Sequence, residues 1–193
     1  MDALAASLYD GYSYTDQTIS ELSAIGAPTR PLWLPFGAVW SVLVMALGAG
    51  VWASSRGNRA MRAAAVLVVA IGVIGLVAWP LAPMHQREAL AAGAGDWRDT
   101  MHLALGFVDM VVFLATVALA ASALGWRFRI YSLLTVAVVL VFGLLTGIAT
   151  PGLEDNEATP WLGVYERAML FPLFLWLAVL GFALWHDQPD VHR

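Results

Sequence analysis

The chain of 193 residues contains no cysteine and no lysine, and only 12% of its residues are charged. Without cysteine, neither a disulfide framework nor thiolate chemistry is available to it. Its net charge is −4, and its longest basic grouping is the scattered trio Arg56, Arg59 and Arg62. This charge pattern excludes nucleic acid as an expected partner. The hydrolase motifs HExxH and GxSxG are also absent.

Apolar residues dominate instead, with 60% hydrophobic residues and a mean hydropathy of +0.73. Since a soluble domain carries about a quarter charged residues, this composition indicates an integral membrane protein. Runs long enough to cross about 30 Å of hydrocarbon lie at 32–52, 63–83, 101–124, 130–150 and 164–185. We therefore predict an all-α, polytopic transmembrane bundle of five helices. It is divided into an N-terminal segment (1–30), a bundle (31–185) and a tail (186–193).

The arginine distribution predicts the orientation of this bundle. The loops 53–62 and 125–129 contain arginines and no acidic residue, so we expect them in the cytoplasm. The N-terminal segment and the loops 84–100 and 151–163 are richer in acids and are expected outside. The C-terminal tail is then cytoplasmic. The first residues carry no positive n-region, so no cleavable signal peptide is expected.

The N-terminal segment contains one helix signal. Thr18-Ile-Ser-Glu21 has the form of a capping box, and Gly26 and Pro28 follow as stop signals. A short helix lying on the outer membrane surface fits this pattern, and a solvated tail is the alternative.

A stripe of polar residues opens the third apolar run. Asp99, His102, Gly106 and Asp109 are spaced to lie on one face of a helix. Asp109 is the only carboxylate well inside an apolar span, where a charge costs about 2.5–3.5 kcal/mol on insertion scales. We expect Asp109 and His102 to face protein or water, and this face to carry any chemistry.

The predicted topology brings several polar residues to the outer side of the membrane. His85, Asp99 and His102, with Glu88 or Glu166, have the side chains that bind zinc or another divalent metal without thiolates. A water activated there would attack an ester, amide or phosphate of a lipid. The full candidate pocket comprises Ser20, Glu21, His85, Glu88, Asp99, His102, Asp109, Glu166 and Arg167.

A purely structural network of the same residues is the alternative to a metal site. The histidines would then bond to loop carbonyls, and Asp99 would be the N-cap of its helix. Arg87, Arg98 or Arg167 would pair with Glu88, Asp99 or Glu166. For Asp109 the expected partners are Arg167, a threonine of the fourth helix, or a proton on the acid itself.

The run from Gly11 to Pro28, with Ile19-Ser-Glu-Leu22 at its centre, resembles the opening signature of a bacterial membrane family catalogued as domain of unknown function 998. The resemblance continues through Trp79-Pro-Leu-Ala-Pro-Met-His85, Asp99-Thr-Met-His102 and Tyr165-Glu-Arg167. It implies a compact bundle of usually six helices in the bacterial inner (plasma) membrane, with no established activity.

Two features depart from the family pattern. Position 23 is serine where glycine is common, and only Met1 to Asp10 precede the Tyr-Ser segment, where the family usually has an apolar helix. We expect the missing helix to leave a groove for a partner subunit or a second copy of the chain.

Two functions stay open at this point. The first is a structural or accessory subunit of a membrane complex with an outward-facing polar pocket. The second is a metal-assisted membrane hydrolase, or a binder of small molecules or lipids, that uses His85, Asp99, His102 and Asp109.

Overall fold

The computed structural model describes residues 1–186, and within that range it is helical without a strand. Five helices are long and apolar enough to cross a membrane, which confirms the predicted all-α bundle of five spans. Only His186 of the predicted tail falls within the described residues. The helices are α1 (Asp2–Ser7), α2 (Arg30–Ala53), α3 (Arg59–Leu81), α4 (Arg87–Ala91), α5 (Trp97–Ala123), α6 (Trp126–Ala149), α7 (Pro151–Glu154) and α8 (Leu162–His186).

Three of the long helices begin about one turn before the predicted apolar run. Their first turns contain charged residues, namely Arg59 in α3, Arg98 and Asp99 in α5, and Arg127 in α6. Hydropathy excludes such turns from a span, whereas hydrogen bonding includes them in the helix. Asn58 caps α3 by accepting from the backbone of Met61 at 3.1 Å.

The long helices pack in the order α2, α3, α5 on one side, and α6 lies along α8 on the other. Trp176 of α8 is fully buried where the two groups meet. Its indole N–H donates to the Ser132 hydroxyl at 2.9 Å, and its ring lies edge-to-face against Phe113. This arrangement satisfies the one polar atom of a large core side chain.

Glycine permits a close approach between α2 and α3. A Cβ on Gly72 would lie 2.7 Å from the Ser41 carbonyl oxygen and 2.5 Å from the Met45 side chain. Small residues commonly serve this purpose in membranes, where close packing replaces the hydrophobic effect as the source of helix association.

The last part of α3 departs from α-helical geometry. A π-helical turn covers Ile74–Ala78 and is followed by Trp79 and Pro80. Because Pro80 has no N–H, the regular hydrogen-bond ladder is interrupted here. Trp79 lies directly after this irregular turn, with its ring against α5.

Candidate functional site: the capped end of the bundle

The N-terminal segment, which ends at residue 29 because Arg30 begins α2, folds over one end of the bundle, which we call the capped end. The predicted capping box is present, since Glu21 accepts from the Thr18 backbone at 2.7 Å and Thr18 accepts from the Glu21 backbone at 3.2 Å. The helix is only one 3₁₀ turn, Ser20–Ser23. Leu22 has no exposed surface. The turn is therefore packed inside the protein, which differs from the expected helix on a lipid surface.

A buried ion pair joins the N-terminal segment to α4. The Arg87 guanidinium donates through Nε and Nη2 to the two carboxylate oxygens of Glu21, at 2.7 and 3.0 Å, and also donates to the Thr159 hydroxyl at 3.2 Å. Burial alone would lower the pKa of Arg87, but the hydrogen bonds and the attraction of Glu21 outweigh it and raise the pKa. Both charges are thus kept and paired.

A second ion pair joins the N-terminal segment to α8. Arg167 donates to both oxygens of Asp2, at 2.9 and 3.0 Å, and to the Tyr12 hydroxyl at 2.8 Å. Its guanidinium carbon lies 3.7 Å from the ring centroid of Tyr14, a cation–π contact. Burial raises the pKa of Tyr12 above its ordinary value, so its hydroxyl keeps its proton.

These pairs overturn the predicted partners of the arginines. Within residues 1–186, Arg87 pairs with Glu21 and Arg167 with Asp2, while Arg98 pairs with Asp96. The predicted acids Glu88, Asp99 and Glu166 were wrong for these arginines. Asp2 is 165 residues from Arg167, so spacing along a helix does not identify it as the partner, whereas Asp96 lies two residues before Arg98.

The polar chain of Glu166, Ser20 and His102 connects α8, the N-terminal segment and α5. The Ser20 hydroxyl lies 3.1 Å from the Glu166 carboxylate and 3.1 Å from His102 Nε2. The Ile19 backbone N–H donates to the other oxygen of Glu166. His102 Nδ1 is 2.9 Å from the Ala82 carbonyl oxygen. Three of the predicted pocket residues, Ser20, His102 and Glu166, are thus joined in one hydrogen-bonded chain.

The predicted polar stripe of α5 contacts one continuous stretch, residues 79–85. Asp99 accepts from the His85 backbone at 2.7 Å, and the His102 ring lies edge-to-face against Trp79. A Cβ on Gly106 would be 3.9 Å from the Trp79 ring. The Trp79 indole N–H donates to Asp109 at 3.3 Å. Trp79 is therefore the partner of Asp109 that the sequence interpretation missed, and the second carboxylate oxygen is buried without a partner.

The metal-capable group in the structure differs from the predicted one. His85, Asp96 and Asp99 offer ligand atoms within 4.8 Å of one another. Both nitrogens of His102 are engaged elsewhere, as described above. Asp99 accepts from the His85 ring at 2.8 Å and from the Asp96 backbone at 2.9 Å, so it also serves as the N3 residue of the α5 capping box. Asp96, and not Asp99, is the N-cap.

Metal binding stays a prediction, and the positions of the two histidines in the structure show which variants test it. A zinc ion held by His85, Asp96 and Asp99 is expected to be lost from the His85→Ala protein and retained by the His102→Ala protein. Elemental analysis of the purified proteins measures this directly. Wild-type protein without stoichiometric metal would contradict the prediction.

A recess of about 420 Å³ opens beside the Glu21–Arg87 pair. Its charged lining residues are Asp10, Asp16, Glu88 and Arg87. A hydrogen bond from the Trp161 backbone N–H, followed by one from the Ser13 hydroxyl, lowers the pKa of Asp16. Of the predicted pocket residues only Glu88 lines it. The other lining residues are Tyr9, Gly11, Ser13, Gln17, Ala158, Thr159 and Pro160.

The fold and its capped end define a polytopic, all-α integral membrane protein whose N-terminal segment closes one end of a five-helix bundle. A family model described as a protein of unknown function (DUF998) matches residues 1–183. The chain belongs to this family, which confirms the resemblance inferred from its motifs. No curated protein and no solved structure matches the chain significantly.

Proposed function

We propose that this protein is a structural or accessory subunit of a membrane complex, with its capped end and recess facing the outside of the bacterial inner membrane. The observation that carries this proposal is the mutual pairing of polar groups at the capped end. Glu21 of the N-terminal segment is hydrogen-bonded to Arg87 of α4, and Arg167 of α8 is hydrogen-bonded to Asp2 of the N-terminal segment. These polar groups are already hydrogen-bonded within the protein, which suits a rigid surface. In a catalytic centre a nucleophile or base has a polar atom free to contact the substrate.

Exposed apolar side chains on the long helices provide the membrane contact of this subunit. Phe107 of α5 and Ile148 of α6 are 72% and 68% exposed. In water such a surface would aggregate, whereas lipid tails cover it at no cost. The proposed partners are therefore membrane lipids around the helices and a second protein, or another copy of the chain, at the capped end.

The proposed orientation predicts which loops react with a reagent confined to the outside. The chain has no cysteine of its own, so a single introduced cysteine gives an unambiguous signal. Ala94→Cys places one in the exposed loop at the capped end. Gly125→Cys places one between α5 and α6, where an added Cβ meets nothing within 4 Å. In intact cells a membrane-impermeant maleimide should label the first variant, and the second only after permeabilisation. The reverse pattern would overturn the orientation.

The accessory role is tested by cross-linking from the recess. Ala158→Cys places a thiol in the recess wall, and the chain has no lysine. The chain's own amine is then the Met1 α-amino group, so a thiol-to-amine adduct whose mass is not that of one or two copies of the chain identifies a different protein. A bis-maleimide joins two copies of the variant. We expect one adduct of defined mass from membranes of the source organism with one of these reagents.

The matched control is Ala94→Cys, which is exposed at the same end but outside the recess. It should give no adduct of that mass. If neither reagent gives an adduct from Ala158→Cys, and the chain migrates as a monomer in mild detergent, the accessory role is wrong.

A further inference from the structure

The chain of Glu166, Ser20 and His102 makes more hydrogen bonds than its ordinary hydrogens can supply. Ala82 offers a carbonyl oxygen, which only accepts, so His102 Nδ1 must carry a hydrogen. The two remaining contacts, from Ser20 to Glu166 and from Ser20 to His102, need two hydrogens. The Ser20 hydroxyl has one.

The second hydrogen must therefore sit at one end of the chain. If it is on Glu166, the carboxylic acid donates to Ser20 and Ser20 donates to neutral His102. If it is on His102 Nε2, the imidazolium donates to Ser20 and Ser20 donates to the Glu166 carboxylate. Both arrangements make the same contacts and carry zero net charge, which suits a site buried between helices.

We propose that Glu166, Ser20 and His102 form a binding site for one exchangeable proton, and that this proton fastens the N-terminal segment onto α5 and α8. Ser20 belongs to the N-terminal segment and the two titratable groups belong to the bundle. Losing the proton removes one of the two hydrogen bonds that the Ser20 hydroxyl makes across this boundary.

The other charged groups that face the site have partners of their own. On the side of Glu166 these are Glu21, which is paired with Arg87, and Arg167, which is paired with Asp2. On the side of His102 the facing carboxylate is Asp99, which accepts from His85. Tyr12 also faces Glu166, and its raised pKa keeps it neutral well above pH 7. The facing aromatic group is Trp79.

The proton count sets the pH dependence of docking. When the segment is detached, Glu166 and His102 titrate near their ordinary values of about 4.3 and 6.5. Above pH 6.5 the detached state holds neither proton and the docked state holds one, so docking weakens by up to tenfold for each further pH unit. Between about pH 4.3 and pH 6.5 the detached state and the docked state each hold one proton, so docking is strongest in this range.

A buried cysteine in the N-terminal segment reports on docking. Leu22 is fully buried, and the smaller side chain of the Leu22→Cys variant fits its place and weakens docking into a measurable range. Its maleimide labelling rate, divided by that of the exposed Ala94→Cys variant, corrects for thiol ionisation. We expect this ratio to rise severalfold between pH 6.5 and 8.5.

Glu166→Gln is the decisive second substitution. The glutamine amide supplies the missing hydrogen permanently, with its oxygen toward the Ile19 N–H and its nitrogen toward Ser20. In the Glu166→Gln background the ratio should stay flat over the same pH range. In the Ser20→Ala background, which breaks the chain, it should be raised throughout and also flat. A ratio that rises equally in all three backgrounds, or that is flat with Glu166 intact, overturns the proposal.

Discussion

Replacing Arg87 by alanine is expected to lower the free energy of unfolding by about 3–5 kcal/mol. The reason is the burial of its partner, since the Glu21 side chain is only 3% exposed and is left as an unpaired charge between the N-terminal segment and the bundle. The same loss also removes the donors to Thr159, which lies between α7 and α8. Denaturant titration in detergent micelles, followed by tryptophan fluorescence, measures the change.

Arg98→Ala is the matched control for this prediction. Arg98 also pairs with a carboxylate, that of Asp96, but these side chains are 43% and 37% exposed and lie 3.3 Å apart. Water and salt screen such a pair, so its loss should cost less than about 1 kcal/mol. Joint replacement of Arg87 by methionine and Glu21 by leucine should recover most of the stability, because no unpaired charge remains. If Arg87→Ala and Arg98→Ala lower the free energy of unfolding by the same amount, the buried Glu21–Arg87 pair does not contribute more to stability than the exposed pair.

The number of spans and one face of α5 were predictable from local sequence. Apolar length sets the span count, and helical periodicity correctly placed Asp99, His102 and Asp109 on one face. Both signals come from residues within one helix. The prediction that His102 and Asp109 turn toward protein agrees with their contacts to Ala82 and Trp79.

Partners across the fold were not predictable in the same way. Glu21 and Arg87 are 66 residues apart, and Asp2 and Arg167 are 165 apart. A single sequence gives the spacing along a helix but not which helix ends meet, so the acids considered for the three arginines were Glu88, Asp99 and Glu166. For Asp109 the expected partners were Arg167, a threonine of the fourth helix or a proton on the acid itself, whereas its hydrogen-bond donor is the indole N–H of Trp79, directly after the π turn.

Substituting Gly163 by alanine is expected to detach the N-terminal segment from α8. The added Cβ would overlap the Gln17 carbonyl oxygen and lie 2.7 Å from the Tyr14 carbonyl oxygen. These are backbone atoms of the segment that also accept from Arg167, so they cannot move without breaking that arginine's hydrogen bonds. Overpacking of this kind costs about 1–3 kcal/mol, visible in denaturant titration and as faster proteolysis within residues 1–29.

Gly147→Ala separates this steric effect from the general effect of adding a methyl group to a helix. Gly147 lies in α6, and a Cβ there meets nothing within 4 Å. Because alanine favours helix over glycine by about 1 kcal/mol, this variant should be unchanged or slightly more stable. If Gly163→Ala matches Gly147→Ala in stability and in protease resistance, the N-terminal segment does not rest on α8. The Asp2–Arg167 pair, which depends on the same contact surface, would then also be absent.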